Sequence, residues 1–192
     1  MSIEGTTEVV LTAELQKLRD TAAEMLEKSE ALTSLTLGQL NWSPGKGVWS
    51  IGQVVDHLNK SNGPTNPNLA EAVRTATVRS DGPFRYKLLE RLFIRMLSPN
   101  PPFKVPVPPP FIPDSAAITS DAVTRFQEIQ TELTHVIESA NGLDLTKPRI
   151  ASAANSRIKM CLGAWFHATL AHEQYHWLQI EAVRANPAFP KE

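Results

Sequence analysis

Hydrophobic residues recur at steps of three and four positions in four long segments, which predicts four amphipathic helices. The first runs from about residue 7 to 34, the second begins at Ser50, the third spans about 120–140 and the fourth about 160–185. The apolar side of the first helix is formed by Leu11, Leu15, Leu18, Ala22, Met25, Ser29 and Leu32. No segment alternates apolar and polar residues between turn signals, so no strand is predicted.

The second helix has a defined beginning and an interruption. Ser50 and Gln53 fit a capping box, in which the Ser50 hydroxyl accepts from the Gln53 amide and the Gln53 side chain reaches back to Ser50. Gly63-Pro64 and Pro67 are expected to kink or interrupt the helix, because proline removes an amide donor and clashes with the preceding turn.

A proline-rich segment separates two halves of the chain. Residues 99–113 hold eight prolines, a density that excludes helix and central strand. We expect an extended crossover between helices 2 and 3, preceded by a short helix over 87–97. Residues 38–49 and 143–159 are predicted loops. The pattern favours an all-α fold, a four-helix bundle with a long proline-rich crossover, formed by a single domain over residues 1–192.

Charge and cysteine content exclude several classes of protein. Lys and Arg number 19 and Asp and Glu number 20, so the basic footprint of a nucleic-acid-binding protein is absent. The single cysteine, Cys161, excludes an intrachain disulfide and a cysteine-based zinc cluster, and indicates a reducing compartment. The chain does not start with a leader pattern and has no window of roughly 18 apolar residues. We therefore expect a cytoplasmic protein with no nucleic-acid or membrane partner.

Two histidines of the fourth predicted helix have the spacing of metal ligands. His172 and His176 are four residues apart and share the apolar stripe that contains Trp165 and Thr169. Two imidazoles on that stripe can converge on one metal ion, which would offset the cost of burying them without partners. The alternative is a pair of half-buried histidines, each bonded to a carbonyl or a side chain. Spacing alone favours neither interpretation.

A third ligand has to come from another segment. His57 is the best candidate, because it lies one turn after Val54 at the edge of the apolar stripe of the second helix. His135 has acidic neighbours and is expected at the surface, and His167 points away from the face of His172. Cys161 lies about three turns before His172, so we expect a buried thiol rather than a ligand.

The same residues contain the pattern H-E-x-x-H, in which zinc proteases use the glutamate as general base. The extended protease pattern requires Gly and His where this chain has Gln179 and Ala182, so we do not favour a protease. Glu173 is expected to face a neighbouring helix or solvent. Gln179 either orients His176 or makes a plain buried hydrogen bond, and the sequence leaves both open.

Two segments resemble the DinB/YfiT-like superfamily. Residues 49–58, WSIGQVVDHL, are similar to its W-S-x-x-(E/Q)-x-x-x-H-L signature, and residues 172–180, HEQYHWLQI, to its H-x-x-x-H-x-x-Q-I helix. The resemblance implies a four-helix bundle with a long crossover and a metal held by three histidines, here His57, His172 and His176. The interruption of the second helix and the proline-rich crossover depart from the family pattern.

The resemblance also implies a metal-dependent enzyme that acts on a small-molecule substrate. Relatives include thiol-dependent S-transferases and a thiol-dependent isomerase, so the implied cofactors are a divalent metal ion, zinc or nickel first, and a low-molecular-weight thiol. A hydrolase that uses metal-bound water is the alternative chemistry. A non-catalytic metal-binding scaffold or stress-response protein is the other possibility. Catalytic residues are not assigned, and a homodimer is expected.

Two further groups of side chains have alternative interpretations. Four tryptophans fit an aromatic pocket or, as we favour, core packing: Trp42, Trp49, Trp165 and Trp177. Lys87, Arg91 and Arg95 recur every four residues, which fits a membrane or partner contact, although a solvated helix face is the favoured interpretation.

Overall fold

The computed structural model describes residues 10–103 and 105–191, and these ranges contain seven α-helices, one short 3-10 helix and one two-stranded sheet. The chain is therefore mostly helical, as the hydrophobic periodicity predicts. In chain order the elements are α1 Ala13–Glu30, α2 Leu37–Asn41, α3 Ile51–Asn62, α4 Asn66–Thr75, α5 Leu88–Leu97, the 3-10 helix Pro109–Phe111, α6 Asp121–Ser139, β1 Arg149–Ala151, β2 Lys159–Cys161 and α7 Leu162–Arg184.

Local hydrogen bonds explain where the long helices begin and end. The capping box of Ser50 and Gln53 is present at the start of α3, and both of its bonds are made. The hydroxyl of Thr12 accepts from the Leu15 amide at the start of α1. The predicted first turn of this helix, residues 7–9, lies outside the described residues. Beyond α6 the chain turns at Gly142, whose φ of 73° favours glycine.

The predicted interruption after the second helix is confirmed. Helix α3 ends at Asn62, and α4 begins at Asn66 with Pro67 in its first turn. Proline fits there because the first amides of a helix have no intrahelical acceptor. The two prolines thus divide one predicted helix into two.

Two predicted loops contain regular structure. Helix α2 covers the first residues of the predicted loop 38–49, because Thr36 and Gln39 make a second capping box. Strand β1 lies within the predicted loop 143–159 and pairs with β2 in an antiparallel register that places Ile150 opposite Met160, where the sequence predicts the start of the fourth helix. The prediction of no strand was wrong at this point. Strands of three residues are too short to display an alternating pattern.

The long helices pack so that the middle of α7 lies between two hydrophobic clusters. Helices α1 and α3 each contact α6 and α7, and α5 contacts α7. The first cluster includes Leu15, Leu133 and Phe166. The second includes Val54 and Phe126 along with the last turns of α7. Residues 171–176 of α7 belong to neither cluster, and this polar stretch carries the candidate site.

Candidate metal centre

The structure brings His57, His172 and His176 together across the contact of α3 with α7. The His172 Nε2 atom lies 3.2 Å from His57 Nε2 and 3.0 Å from His176 Nε2. One ring nitrogen from each of the three histidines lies within 4.8 Å of the other two. His57 and His176 are buried and His172 is partly exposed. We refer to these three residues as the histidine cluster.

The outer nitrogens of two of these rings are held by oxygen acceptors. His57 Nδ1 lies 2.7 Å from the Phe111 carbonyl oxygen, and His176 Nδ1 lies 2.9 Å from Gln179 Oε1. In neutral rings with these contacts, Nδ1 carries the proton and donates it. Each Nε2 then presents a lone pair to the cluster. Gln179 therefore orients His176, which is one of the two roles that the sequence left open.

The environment keeps the three imidazoles neutral. Burial lowers the pKa of His57, although the hydrogen bond to Phe111 opposes this shift. Burial and the neighbouring His176 and His57 hold the pKa of His172 well below its usual range. Burial and the nearby His57 lower the pKa of His176 to about 3. Neutral imidazole is the form that binds a metal ion.

This arrangement fits a metal ion better than it fits a hydrogen-bonded trio. With Nδ1 protonated on His57 and His176, only His172 Nε2 can supply a proton between the rings, so at least one buried lone pair has no donor. Tetrahedral Zn–N bonds of about 2.05 Å separate two ligand nitrogens by about 3.3 Å. The observed separations of 3.0 and 3.2 Å are close to that value.

Aromatic rings border the histidine cluster. The Trp49 ring centroid lies 5.0 Å from that of His57 and 6.1 Å from that of His176, and the second pair is stacked. Tyr175 meets His176 edge-on at 5.0 Å. Trp49 therefore lies against two candidate ligands, whereas Trp165 and Trp177 are buried in the core. The four tryptophans do not share one role.

The end of the proline-rich segment reaches the cluster because α3 binds its backbone. The Asp56 carboxylate accepts from the Asp114 amide at 2.8 Å, and Lys60 Nζ donates to the Ile112 carbonyl at 3.2 Å. Lys60 also pairs with the carboxylates of Asp56 and Asp114. These bonds hold residues 111–114 along α3 and keep the Phe111 carbonyl on His57.

Glu173 occupies a second polar cluster, on the side of α7 that faces α3 and α6. Its side chain is fully buried, and Oε1 accepts from the amides of Asn62, at 2.7 Å, and Gln130. Within the described residues, Glu173 Oε2 and Gln130 Oε1 are buried without a hydrogen-bond partner. Burial raises the pKa of Glu173 to about 8, and the bond from Gln130 only partly opposes this. We call Glu173, Asn62 and Gln130 the carboxylate cluster.

The other candidate residues lie outside the histidine cluster, as the sequence predicted. The His135 side chain is 73% exposed. His167 is partly exposed, and its Nε2 lies 2.9 Å from Glu14 Oε1. Cys161 is buried, and burial raises the pKa of its thiol to about 11. Glu173 faces neighbouring helices, so it does not have the position of the general base in the H-E-x-x-H pattern.

Sequence reasoning missed the Phe111 carbonyl and the carboxylate cluster. A backbone carbonyl carries no sequence signal, because every residue has one. Gln130 did carry a signal, since it falls on the apolar stripe of the third predicted helix, where an uncharged amide needs a buried partner.

The comparison with known families agrees with the resemblance seen in the two motifs. The sequence-family model of the DinB superfamily matches residues 18–180, a range that includes the whole histidine cluster. The chain therefore belongs to the DinB superfamily. No curated protein and no solved structure matches it significantly. Within the described residues, no helix is both long enough and apolar enough to cross a membrane.

Proposed function

We propose that the chain binds one divalent metal ion through His57, His172 and His176 and uses it to activate a small nucleophile. The observation that carries the proposal is the convergence of His57 and His176 Nε2 on His172 Nε2, at 3.2 and 3.0 Å, from two rings whose Nδ1 atoms contact oxygen acceptors. Three neutral imidazoles leave coordination positions open, as in catalytic rather than structural zinc sites. Zinc or nickel is the proposed ion, since both accept imidazole ligands.

The proposed reaction is transfer of a low-molecular-weight thiol to an electrophilic small molecule. When bound, the metal ion lowers the pKa of a coordinated thiol or water molecule. Within the described residues, the nearest carboxylates by sequence have other partners: Glu173 binds Asn62 and Gln130, and Asp56 binds the Asp114 amide and Lys60. A thiol ionises on a metal without a general base, whereas hydrolysis profits from one. The engagement of both carboxylates by other partners therefore favours the S-transferase over the hydrolase.

Metal content tests the first part of the proposal. We expect about one equivalent of zinc or nickel in the purified, tag-free protein and almost none in His176→Ala. His135→Ala is the matched control, because this exposed histidine lies outside the cluster, and it should keep the metal. Absence of metal from the wild type, even after incubation with added zinc or nickel, would contradict the proposal.

Activity tests the second part. The metal-loaded protein should accelerate the reaction of a small thiol with an aryl halide, and His176→Ala should not. Hydrolysis of an activated ester without thiol transfer would favour the hydrolase. A metal-loaded protein that catalyses neither reaction would favour a metal-binding scaffold.

The remaining predictions belong to the same proposal. We propose that α1, α3, α6 and α7 form the bundle of the DinB fold, with residues 99–113 as its crossover, in a single domain over residues 1–192. We also propose a cytoplasmic location and a homodimer. Light scattering of the purified chain tests the homodimer.

A further inference from the structure

Helix α5 presents apolar side chains to solvent. Its inner side packs against α7 and the first hydrophobic cluster. On its other side Leu88, Leu89 and Leu92 are 76%, 77% and 46% exposed. Three large apolar side chains within five residues form a patch rather than scattered exposure, and such patches mark interaction sites.

Basic side chains border this patch. Arg91 and Arg95 are exposed and lie one turn apart. At about 100° per residue, Leu88 lies near the centre of the solvent side, with Leu92 on one side of it and Arg95 and then Arg91 on the other. We call these residues, together with Leu89, the outer face of α5. Lys87, also exposed, precedes the helix.

The one acidic residue of α5 does not reduce this positive charge at the outer face. Glu90 is 4% exposed and lies on the inner side. Its carboxylate accepts from the Arg149 guanidinium and from the amides of Cys161, at 3.0 Å, and Lys87, at 2.9 Å. The outer face therefore combines apolar and basic side chains with no acidic one.

We propose that the outer face of α5 binds an anionic lipid surface, with the helix lying parallel to that surface. The leucines enter the boundary between headgroups and acyl chains, and the arginines bind lipid phosphates. Each contribution alone is weak, and the two contributions add when they lie on one face of a helix. The proposal does not depend on the metal centre.

The charge pattern favours lipid over a second copy of this chain. A two-fold dimer through this face would bring Arg91 and Arg95 of both copies into one interface, and the face offers no carboxylate to pair with them. The sequence favoured a solvated face because it does not reveal the exposure of the leucines. The finding that the described residues contain no helix able to cross a membrane does not concern a helix that lies on a surface.

Vesicle binding by the full chain tests the proposal. We expect the wild type to sediment with phosphatidylcholine vesicles that contain about one third phosphatidylglycerol, and not with pure phosphatidylcholine. Binding should fall as salt increases. Arg91→Gln/Arg95→Gln should weaken binding about 30-fold, because each basic residue contributes about 1 kcal/mol. Leu88→Gln/Leu92→Gln should weaken it about tenfold or more.

Matched variants control for charge and for apolar exposure elsewhere. Lys46→Gln/Arg184→Gln removes two exposed positive charges, and Leu37→Gln/Leu178→Gln removes two leucines that are 58% and 49% exposed. Both should bind like the wild type. Thermal melting establishes that each variant folds. Leu89→Gln, at a 77% exposed position, replaces the double leucine variant if that one does not fold.

Three outcomes would overturn the proposal. The first is a wild type that fails to bind anionic vesicles, and the second is α5 variants that bind as well as the control variants. The third is a dimer in light scattering that Leu88→Gln/Leu92→Gln abolishes while vesicle binding is absent, which would assign the face to a second copy of the chain.

Discussion

Two polar clusters lie next to each other on α7, and they differ in what each lacks. In the histidine cluster, three ring nitrogens face one another, and there are too few N–H protons for each nitrogen to be paired in a hydrogen bond. The carboxylate cluster consists of Glu173 between two amide donors, with one buried carboxylate oxygen that has no partner in the described structure. His172 and Glu173 are consecutive residues, so about 100° of helix rotation separates the two environments.

Burial shifts the pKa values of the two clusters in opposite directions, because a histidine is charged when protonated and a carboxylic acid is charged when deprotonated. Burial opposes the protonated form of the histidines and lowers their pKa values. It opposes the ionised form of Glu173 and raises its pKa to about 8. Both clusters are therefore close to neutral without a metal ion. The first could be completed by a cation, and burial favours the protonated form of the second.

The largest expected effect concerns the central histidine of the proposed metal site. His172→Ala should weaken zinc binding on the order of a thousandfold, because His172 Nε2 is adjacent to the Nε2 atoms of His57 and His176. Competition with a chromophoric chelator measures the affinity. His167→Ala, on the same helix but outside the cluster, should bind zinc like the wild type. Equal losses in the two variants would indicate a general effect on α7 and not the loss of a ligand.

Truncation of Glu173 should reduce stability and leave the ligands in place. Glu173→Ala leaves the amides of Asn62 and Gln130 buried without their acceptor and opens a cavity, which should cost about 3 kcal/mol in the free energy of unfolding. Urea denaturation measures this cost. Glu173→Gln keeps the shape and one oxygen acceptor, so it should cost much less. A similar loss in both variants would contradict the role given to Oε1.

The pH dependence of stability should separate the two clusters. The pKa of Glu173 is about 8 in the folded protein and about 4.5 in the unfolded chain, so the folded state holds this proton more tightly. Its contribution to stability is present below pH 4.5 and is lost as the pH rises to about 8.

Between pH 5 and pH 8, the metal-free wild type should therefore lose on the order of 3 kcal/mol relative to Glu173→Gln. Denaturation of both proteins in the presence of a chelator measures the difference. Parallel pH profiles would show that Glu173 is ionised at both pH values.

The smallest expected effect concerns the side chain that orients His176. Gln179→Ala removes the acceptor of His176 Nδ1 and should weaken zinc binding about tenfold, without loss of the metal at saturation. Isothermal titration at several zinc concentrations measures this effect. Gln179→Glu keeps an acceptor and should retain most of the affinity. An unchanged affinity in Gln179→Ala would assign Gln179 to packing alone.

The sequence predicted most of the helices and all three members of the histidine cluster. The capping box at Ser50 and the hydrophobic periodicity of α6 are local signals, and they do not depend on how the helices pack. The sequence missed α2 and the hairpin of β1 with β2, which are too short for a periodic pattern to be recognised. It also left open whether Glu173 faces a neighbouring helix or solvent. Helical geometry gives the direction of a side chain relative to His172, but it does not say what lies in that direction.

Spacing along the chain determined that His172 and His176 share one face of a helix, because helical geometry relates residues four positions apart. Only the tertiary structure decided that His57 joins them from 115 residues away and that the Phe111 carbonyl holds its ring. Packing alone buried Glu173 between α3 and α6 and left the leucines of α5 exposed. The physical reason is that contacts between distant segments depend on how whole helices pack, and local periodicity does not specify that packing.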